Sequence, residues 1–166
     1  MKQLKTARLY LKPANPKDAY FIYELLNSDS WLKYIGDKNI TNLDNAQEYI
    51  QNSLIVGYTT NGFGLMVVTL KDGTPIGICG FLKRDYLDTL DLGFALLPKY
   101  EGYGYAFEAA SATMQYGKLE LKINRVLAIC MKTNEKSLAL LSKLGFNKID
   151  TIKLSEESEE LLLLST

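Results

Sequence analysis

The chain contains no histidine. That absence removes the Ser–His and Cys–His pairs that activate protein nucleophiles, and every histidine-based metal site. Cysteine is nearly absent too: Cys79 and Cys130 sit apart in apolar runs, without CxxC spacing. They read as buried thiols rather than as a disulfide or zinc ligands, which fits a reducing compartment. Neither charge is in excess, since 19 basic residues balance 19 acidic ones. A bulk electrostatic hold on nucleic acid or anionic lipid is therefore not expected. No apolar run approaches the roughly 20 residues that span a bilayer. The start "MKQLKTARLYL" has no apolar run of signal length. A cytoplasmic protein is expected, with neither nucleic acid nor membrane as partner. Without histidine or a metal, acid–base work falls to Asp, Glu, Tyr, Lys, Cys or water.

What remains is a chain of 166 residues, 47% of them hydrophobic, enough for one ordinary domain with a real core. "ARLYLKPA" alternates as a first strand. Asn15 and Pro16 read as N-cap and first helical residue, followed by a stripe of Ala19, Ile22, Tyr23 and Leu26. "SDSWLKYIGDKN" reads as a polar, aromatic connection. Thr41 and Asp44 fit a capping box ahead of Leu43, Ala46, Ile50 and Leu54 at helical spacing. "FGLMVVTL" and "PIGICGFL" flank "KDGT", a hairpin signal. In "TLDLGFALLP", Leu90, Leu92, Phe94 and Leu96 share one face, and Asp91, Gly93 and Ala95 the other. "YAFEAASATMQYGK" reads as a helix aligning Phe107, Ala110 and Met114. "RVLAICMK" reads as a strand buried on both faces, and "NEKSLALLSKLG" as a helix stopped by Gly145. "FNKIDTIKL" and "ELLLLST" read as a closing antiparallel pair.

This order predicts a mixed α/β (α+β) sheet of about seven mostly antiparallel strands and about four helices. One strand–helix–strand crossover, over 90–131, makes two neighbours parallel. Ligands bind outside the carboxyl ends of such strands. There stands "PKYEGYGYAFEAA". It is not a P-loop, because Tyr105 and Ala106 follow Gly104 where Lys and Ser/Thr are required. Nor is it a dinucleotide fingerprint, because position 107 is Phe. Two readings stay open from the loop alone: a plain β–α turn, or a backbone cradle for an anion at a helix start.

"LDLGFALLPKYEGYGYAFEAA" resembles the central motif of the GNAT superfamily of N-acetyltransferases, [QR]-x-x-G-x-[GA]. Lys99 takes the Gln/Arg position, and Gly102 and Gly104 the two small ones. "RVLAICMKTNEKSLALLSKLGF" is similar to the family's next strand, asparagine and helix ending in Leu-Gly-Phe. "LKTARLYLKPANPKDA" is similar to the opening of the branch of ribosomal-protein N-terminal acetyltransferases. The resemblance runs in order over nearly the whole chain and implies a single GNAT domain over residues 1–166.

The resemblance also implies a chemistry. Acetyl-CoA would be the donor, with no metal, and its acetyl group would pass to a primary amine by direct attack in a ternary complex. The amine would be a protein N-terminus or a small molecule. A catalytically weak acyl-CoA-binding module is the alternative, and a plain interaction domain a third reading. Backbone atoms of Phe94, Ala95 and Leu96 would pair with the pantetheine arm. Gly102, Tyr103, Gly104, Tyr105 and Ala106, led by Lys99, would surround the pyrophosphate. Asn134 would bond the pantetheine, cap its helix, or both. Ser137 would face the thioester sulfur or simply pack. Asp91 would be the base, directly or through water, or else a solvated strand residue. Leu141 stands where many relatives carry a tyrosine donor. Trp31, Tyr34 and Asp37, with Asn39, would lie on the acceptor side or pack on the core. A homodimer is compatible with this reading; the acceptor's identity does not follow from it.

Overall fold

The computed structural model describes residues 1–166. Strands β1 (Leu4–Lys5) and β2 (Leu9–Lys12) open the chain as an antiparallel pair, and alternation in β2 buries Leu9 and Leu11 completely. At Asn15 a capping box forms with Asp18, whose Oδ2 accepts from Asn15 N at 2.9 Å. A 3₁₀ turn over Pro16–Asp18 then leads into α1 (Ala19–Leu26). The polar connection expected over 28–39 contains a further helix, α2 (Asp29–Tyr34). It escapes pattern reading because it is barely two turns long and buries only Trp31.

α3 (Leu43–Tyr49) is capped by Asn42, not by Thr41: Asn42 Oδ1 accepts from Asn45 N at 2.8 Å. The Thr41 hydroxyl donates to the Asn45 side chain instead, at 2.9 Å. A π-helical turn over Ile50–Ile55 joins α3 to α4 (Val56–Asn61). The core stripe runs through Ala46, Ile50 and Leu54, whereas Leu43 is exposed. β3 (Leu65–Leu70) and β4 (Pro75–Leu82) form the expected hairpin. Its turn has Gly73 in the left-handed region at φ 91° and Asp72 Oδ1 accepting from Thr74 N at 2.9 Å.

β5 (Asp91–Leu96), α5 (Tyr105–Leu119) and β6 (Leu127–Met131) form the strand–helix–strand crossover. α6 (Glu135–Lys143), β7 (Asn147–Ile152) and β8 (Leu161–Ser165) complete the chain. The eight strands form one sheet in the order β1-β2-β3-β4-β5-β6-β8-β7, antiparallel except between β5 and β6. This is the expected mixed α/β fold, with β1 as an extra edge strand, α2 as an extra helix, and α4 continuing α3 beyond the π turn.

Each face of the sheet carries a core. On one, Ile22, Leu25, Trp31, Ile50 and Leu54 of the first helices pack on Leu65, Val67 and Ile78. On the other, Ala109 and Ala110 of α5 and Leu141 of α6 pack with Met66, Val68, Phe81 and Leu92. α5 turns Ala109, Ala110, Thr113 and Gly117 inward; of the face read from the sequence, Ala110 is buried and Met114 packs on the core, but Phe107 is not buried. Small residues let the helix lie close to the sheet, and Phe107 is left 40% exposed. Cys79 and Cys130 are both buried and unpaired, and burial pushes their thiols up to about 12 and about 11. No helix is long and apolar enough to cross a membrane.

Candidate active site

The parallel neighbours β5 and β6 share a single register pair, Asp91 opposite Leu127, at the first residue of each strand. Beyond it the strands part, and a cleft of about 1130 Å³ opens between their carboxyl halves. Leu92–Leu96 line one side and Ala128–Met131 the other. The parting leaves backbone groups of β5 without a strand partner on that side, so an extended ligand can pair with them.

The cleft ends at the glycine loop. A 3₁₀ turn over Pro98–Tyr100 follows β5, then Gly102 (φ 84°) and Gly104 (φ 80°) adopt left-handed backbone that side chains resist. Gly104 caps α5 without a side-chain bond, and the first intrahelical bond runs from Glu108 N to Gly104 O at 3.1 Å. The amides of Tyr105, Ala106 and Phe107 therefore have no helical partner. Gly102, Gly104, Tyr105, Ala106 and Phe107 all line the cleft. Free amides at the positive end of a 15-residue helix, reached without a Cβ in the way, suit a phosphate or diphosphate.

A clamp that local patterns could not reveal braces this loop. Glu108 accepts from Thr6 Oγ1 (2.6 Å), Arg8 N (2.8 Å) and Arg8 Nε (2.6 Å). Arg8 Nη1 donates to Tyr103 O at 2.9 Å, and its guanidinium lies 4.6 Å from the Tyr105 ring centroid. Partial burial raises the Glu108 carboxyl, but the bonds from Thr6 and Arg8 outweigh it and hold the group below its ordinary value. A depressed carboxylate stabilises the fold above its unfolded pKa, and that contribution is lost as pH falls through the folded value. Glu108→Gln should therefore cost about 1–2 kcal/mol at neutral pH and less in acid. Melting temperature against pH for the two proteins checks this.

Other predicted residues distribute unevenly. Asn134 lines the cleft and caps α6, its Oδ1 accepting from Ser137 N at 3.2 Å, so the cap is present while its amide nitrogen stays uncommitted. Ser137, Trp31 and Tyr34 line the cleft as well. Lys99 does not: its Nζ lies 3.4 Å from Glu24 in a separate hollow with Asn27 and Ser28. The cation that spans from α6 to the loop is Lys136, 2.8 Å from Glu101. Tyr103 is 63% exposed and stacks on Tyr105, with ring centroids 5.9 Å apart. Asp37 is outside the lining and accepts from Asn39 N at 2.7 Å. Leu141 is buried in the core.

Asp91 is not solvated; only 1% of it is exposed. Arg84, just past the end of β4, donates from Nε to both carboxylate oxygens, each at 3.0 Å. Burial pushes the Asp91 carboxyl up, the Arg84 charge pulls it back in part, and the net direction is up. Tyr49 joins them in the cleft wall. Burial pushes its phenol up against the pull of Arg84, and no hydrogen bond contributes. Arg84 and Tyr49 were not among the residues predicted from sequence. Asp91 meets Arg84 through the pairing of Leu82 with Asp91, a tertiary register that no local motif signals.

Residues 8–147 match the family described as acetyltransferase (GNAT) domain. The chain belongs to the GNAT acetyltransferase family. The family's general reaction is acetylation of an amine by acetyl-CoA. This GNAT chain is 28% identical over 145 residues to the uncharacterized N-acetyltransferase YnaD of Bacillus subtilis, covering 87% of this chain and 82% of that protein. It is 35% identical over 75 residues to the ribosomal protein uS5-alanine N-acetyltransferase of Escherichia coli, covering 44% and 39% of the two chains. The structure of the ribosomal-protein-S5-alanine acetyltransferase from Vibrio fischeri superposes with a TM-score of 0.83 at 19% identity, over 100% of this chain and 96% of that one. That likeness is one of fold. The GNAT fold accounts for the single parallel pair and for the glycine loop that closes the cleft.

Proposed function

We propose that residues 1–166 act as one GNAT domain that moves an acetyl group from acetyl-CoA to a primary amine by direct attack in a ternary complex. The observation that carries this reading is the cleft between β5 and β6, closed at one end by the free amides of α5. Bound acetyl-CoA supplies an activated thioester. The loop residues Gly102, Tyr103, Gly104, Tyr105 and Ala106 hold its diphosphate, and Phe94, Ala95 and Leu96 present backbone groups to its pantetheine arm. Asn134 adds a side-chain amide to that arm, and Ser137 stands on the same wall. Lys99, committed to Glu24, contributes no contact.

Two groups carry the proton traffic. The amine must lose a proton to attack, and Asp91 takes it through an intervening water. Arg84 Nε occupies only part of the carboxylate's acceptor capacity, and a base raised by burial is better matched to neutral pH. Tyr49 keeps its proton at neutral pH and donates to the departing thiolate, the part that Leu141 cannot play. Trp31 and Tyr34 frame the acceptor. The two unpaired thiols fit a cytoplasmic setting.

A second reading, an acyl-CoA-binding module without turnover, is favoured by Leu141 and by the guanidinium over Asp91. One experiment separates them. Acetyl-CoA at about 100 times its Kd should stabilise the protein by about 2.7 kcal/mol, seen as a raised melting temperature. Thiol release on adding amines then identifies a transferase; a thermal shift without thiol release identifies the binding module. No shift at all removes both.

A further inference from the structure

We propose that Arg84 is a specificity-determining residue that selects an acceptor bearing a carboxylate close to its reactive amine. This rests on the transferase reading above. The Arg84–Asp91 pair is asymmetric toward the cleft: 32% of the arginine side chain is exposed, against 1% of the aspartate side chain. An incoming acceptor meets the guanidinium, not the carboxylate. Nε is spent on Asp91 and Nη1 on the Tyr86 hydroxyl at 3.0 Å, while Nη2 makes no bond within the chain.

This charge is misplaced for the acetyl donor's phosphates. Asp91 opens β5 and the glycine loop follows its other end, roughly 17 Å away at about 3.4 Å per residue. Arg84 instead lies near Tyr49, whose phenol feels its charge, and Trp31 lines the same cleft. Tyr49 keeps its proton and adds no negative charge, and Trp31 Nε1 is the buried side-chain polar atom of the protein left without a partner. The uncommitted Nη2 of the planar guanidinium, with the unpaired Trp31 N–H, suits the oxygens of a carboxylate. Asp91, the carboxylate beside Arg84, is covered by it and offers little to a second ammonium. A polyamine is accordingly a poor acceptor. The carboxylate is either the α-carboxylate of a free amino acid or an acidic side chain near a peptide N-terminus.

Matched pairs test this: glycine against glycinamide, a peptide beginning Ala-Asp against one beginning Ala-Asn, and spermidine beside them. The wild-type protein should use the acid of at least one pair about tenfold better in kcat/KM, mainly through KM, with spermidine poorest. The pair that shows the preference names the source of the carboxylate. Arg84→Gln should bring that ratio near one while leaving the acetyl-CoA thermal shift unchanged. Arg84→Lys, which keeps a charge against Asp91 if the glutamine variant fails to fold, should lower the ratio by losing the planar fork. Equal use of acids and amides, or preference for spermidine, overturns the inference and leaves the transferase reading standing. A thermal shift lost in either arginine variant assigns Arg84 to the donor and overturns it too. If no amine is acetylated, both readings fall.

Discussion

Asp91→Asn should lower kcat by about 10²- to 10⁴-fold, the range a positioned base contributes, while acetyl-CoA still raises the melting temperature as in the wild type. The asparagine matches the carboxylate in shape but cannot take a proton. It also leaves Arg84 facing a neutral oxygen at the site where the guanidinium had been paired at 3.0 Å. The loss should be smaller at low pH, where the wild-type carboxyl is itself protonated. Burial raises that carboxyl and Arg84 only partly opposes it, so the acid limb of the wild-type kcat profile should lie above the ordinary carboxylate range. The variant should lack this limb. Stability supplies an independent readout. A carboxyl raised in the folded protein stabilises it fully below the unfolded pKa, and the contribution is lost as pH rises through the folded value. Asp91→Asn should flatten that decline in melting temperature between the two values. A variant with wild-type turnover at every pH would take Asp91 out of the mechanism.

Asp91 also marks where sequence reasoning stopped. The strand, its face alternation and the crossover were legible because each depends on neighbours within one element or on one turn. The glycine loop was legible for the same reason: two glycines between a strand and a helix are a local conformational requirement, met here at φ 84° and 80°. The partners of the site residues were not. Arg84 reaches Asp91 across a hairpin register, and Arg8 reaches Tyr103, 95 residues away in sequence, from the turn between β1 and β2. Tyr49 enters the wall from the last residue of α3. Lys99 shows the converse. Its place in the motif directs a cation at the phosphates, but the 3₁₀ turn at Pro98 presents it to Glu24. Composition described the charges correctly as balanced, yet only the fold shows which of them cancel in place and which face the cleft.

Gly104→Val should weaken acetyl-CoA binding by about 10- to 100-fold. Three contributions act together. A residue with a Cβ in the left-handed region costs about 1–2 kcal/mol, and β-branching adds to it. The new Cβ would sit at ordinary contact distance, 3.4 Å, from Arg8 Nη2 of the brace that holds Tyr103 and Glu108, and the valine methyls add bulk beside it. Relief of the left-handed strain at φ 80° turns the amides of the first turn of α5 away from the cleft. Each charge-assisted bond from an amide to a phosphate oxygen is worth about 1.5–3 kcal/mol, so misdirecting even one corresponds to about a tenfold to hundredfold rise in Kd. Strain alone would give a different pattern. Gly73→Ala carries the same backbone penalty at φ 91° in the β3–β4 turn, outside the cleft lining. It should lower the melting temperature yet leave the acetyl-CoA-induced shift intact. Titrating acetyl-CoA into both variants and following the thermal shift separates the two effects. Wild-type affinity in Gly104→Val would mean that the amides of α5 do not hold the diphosphate.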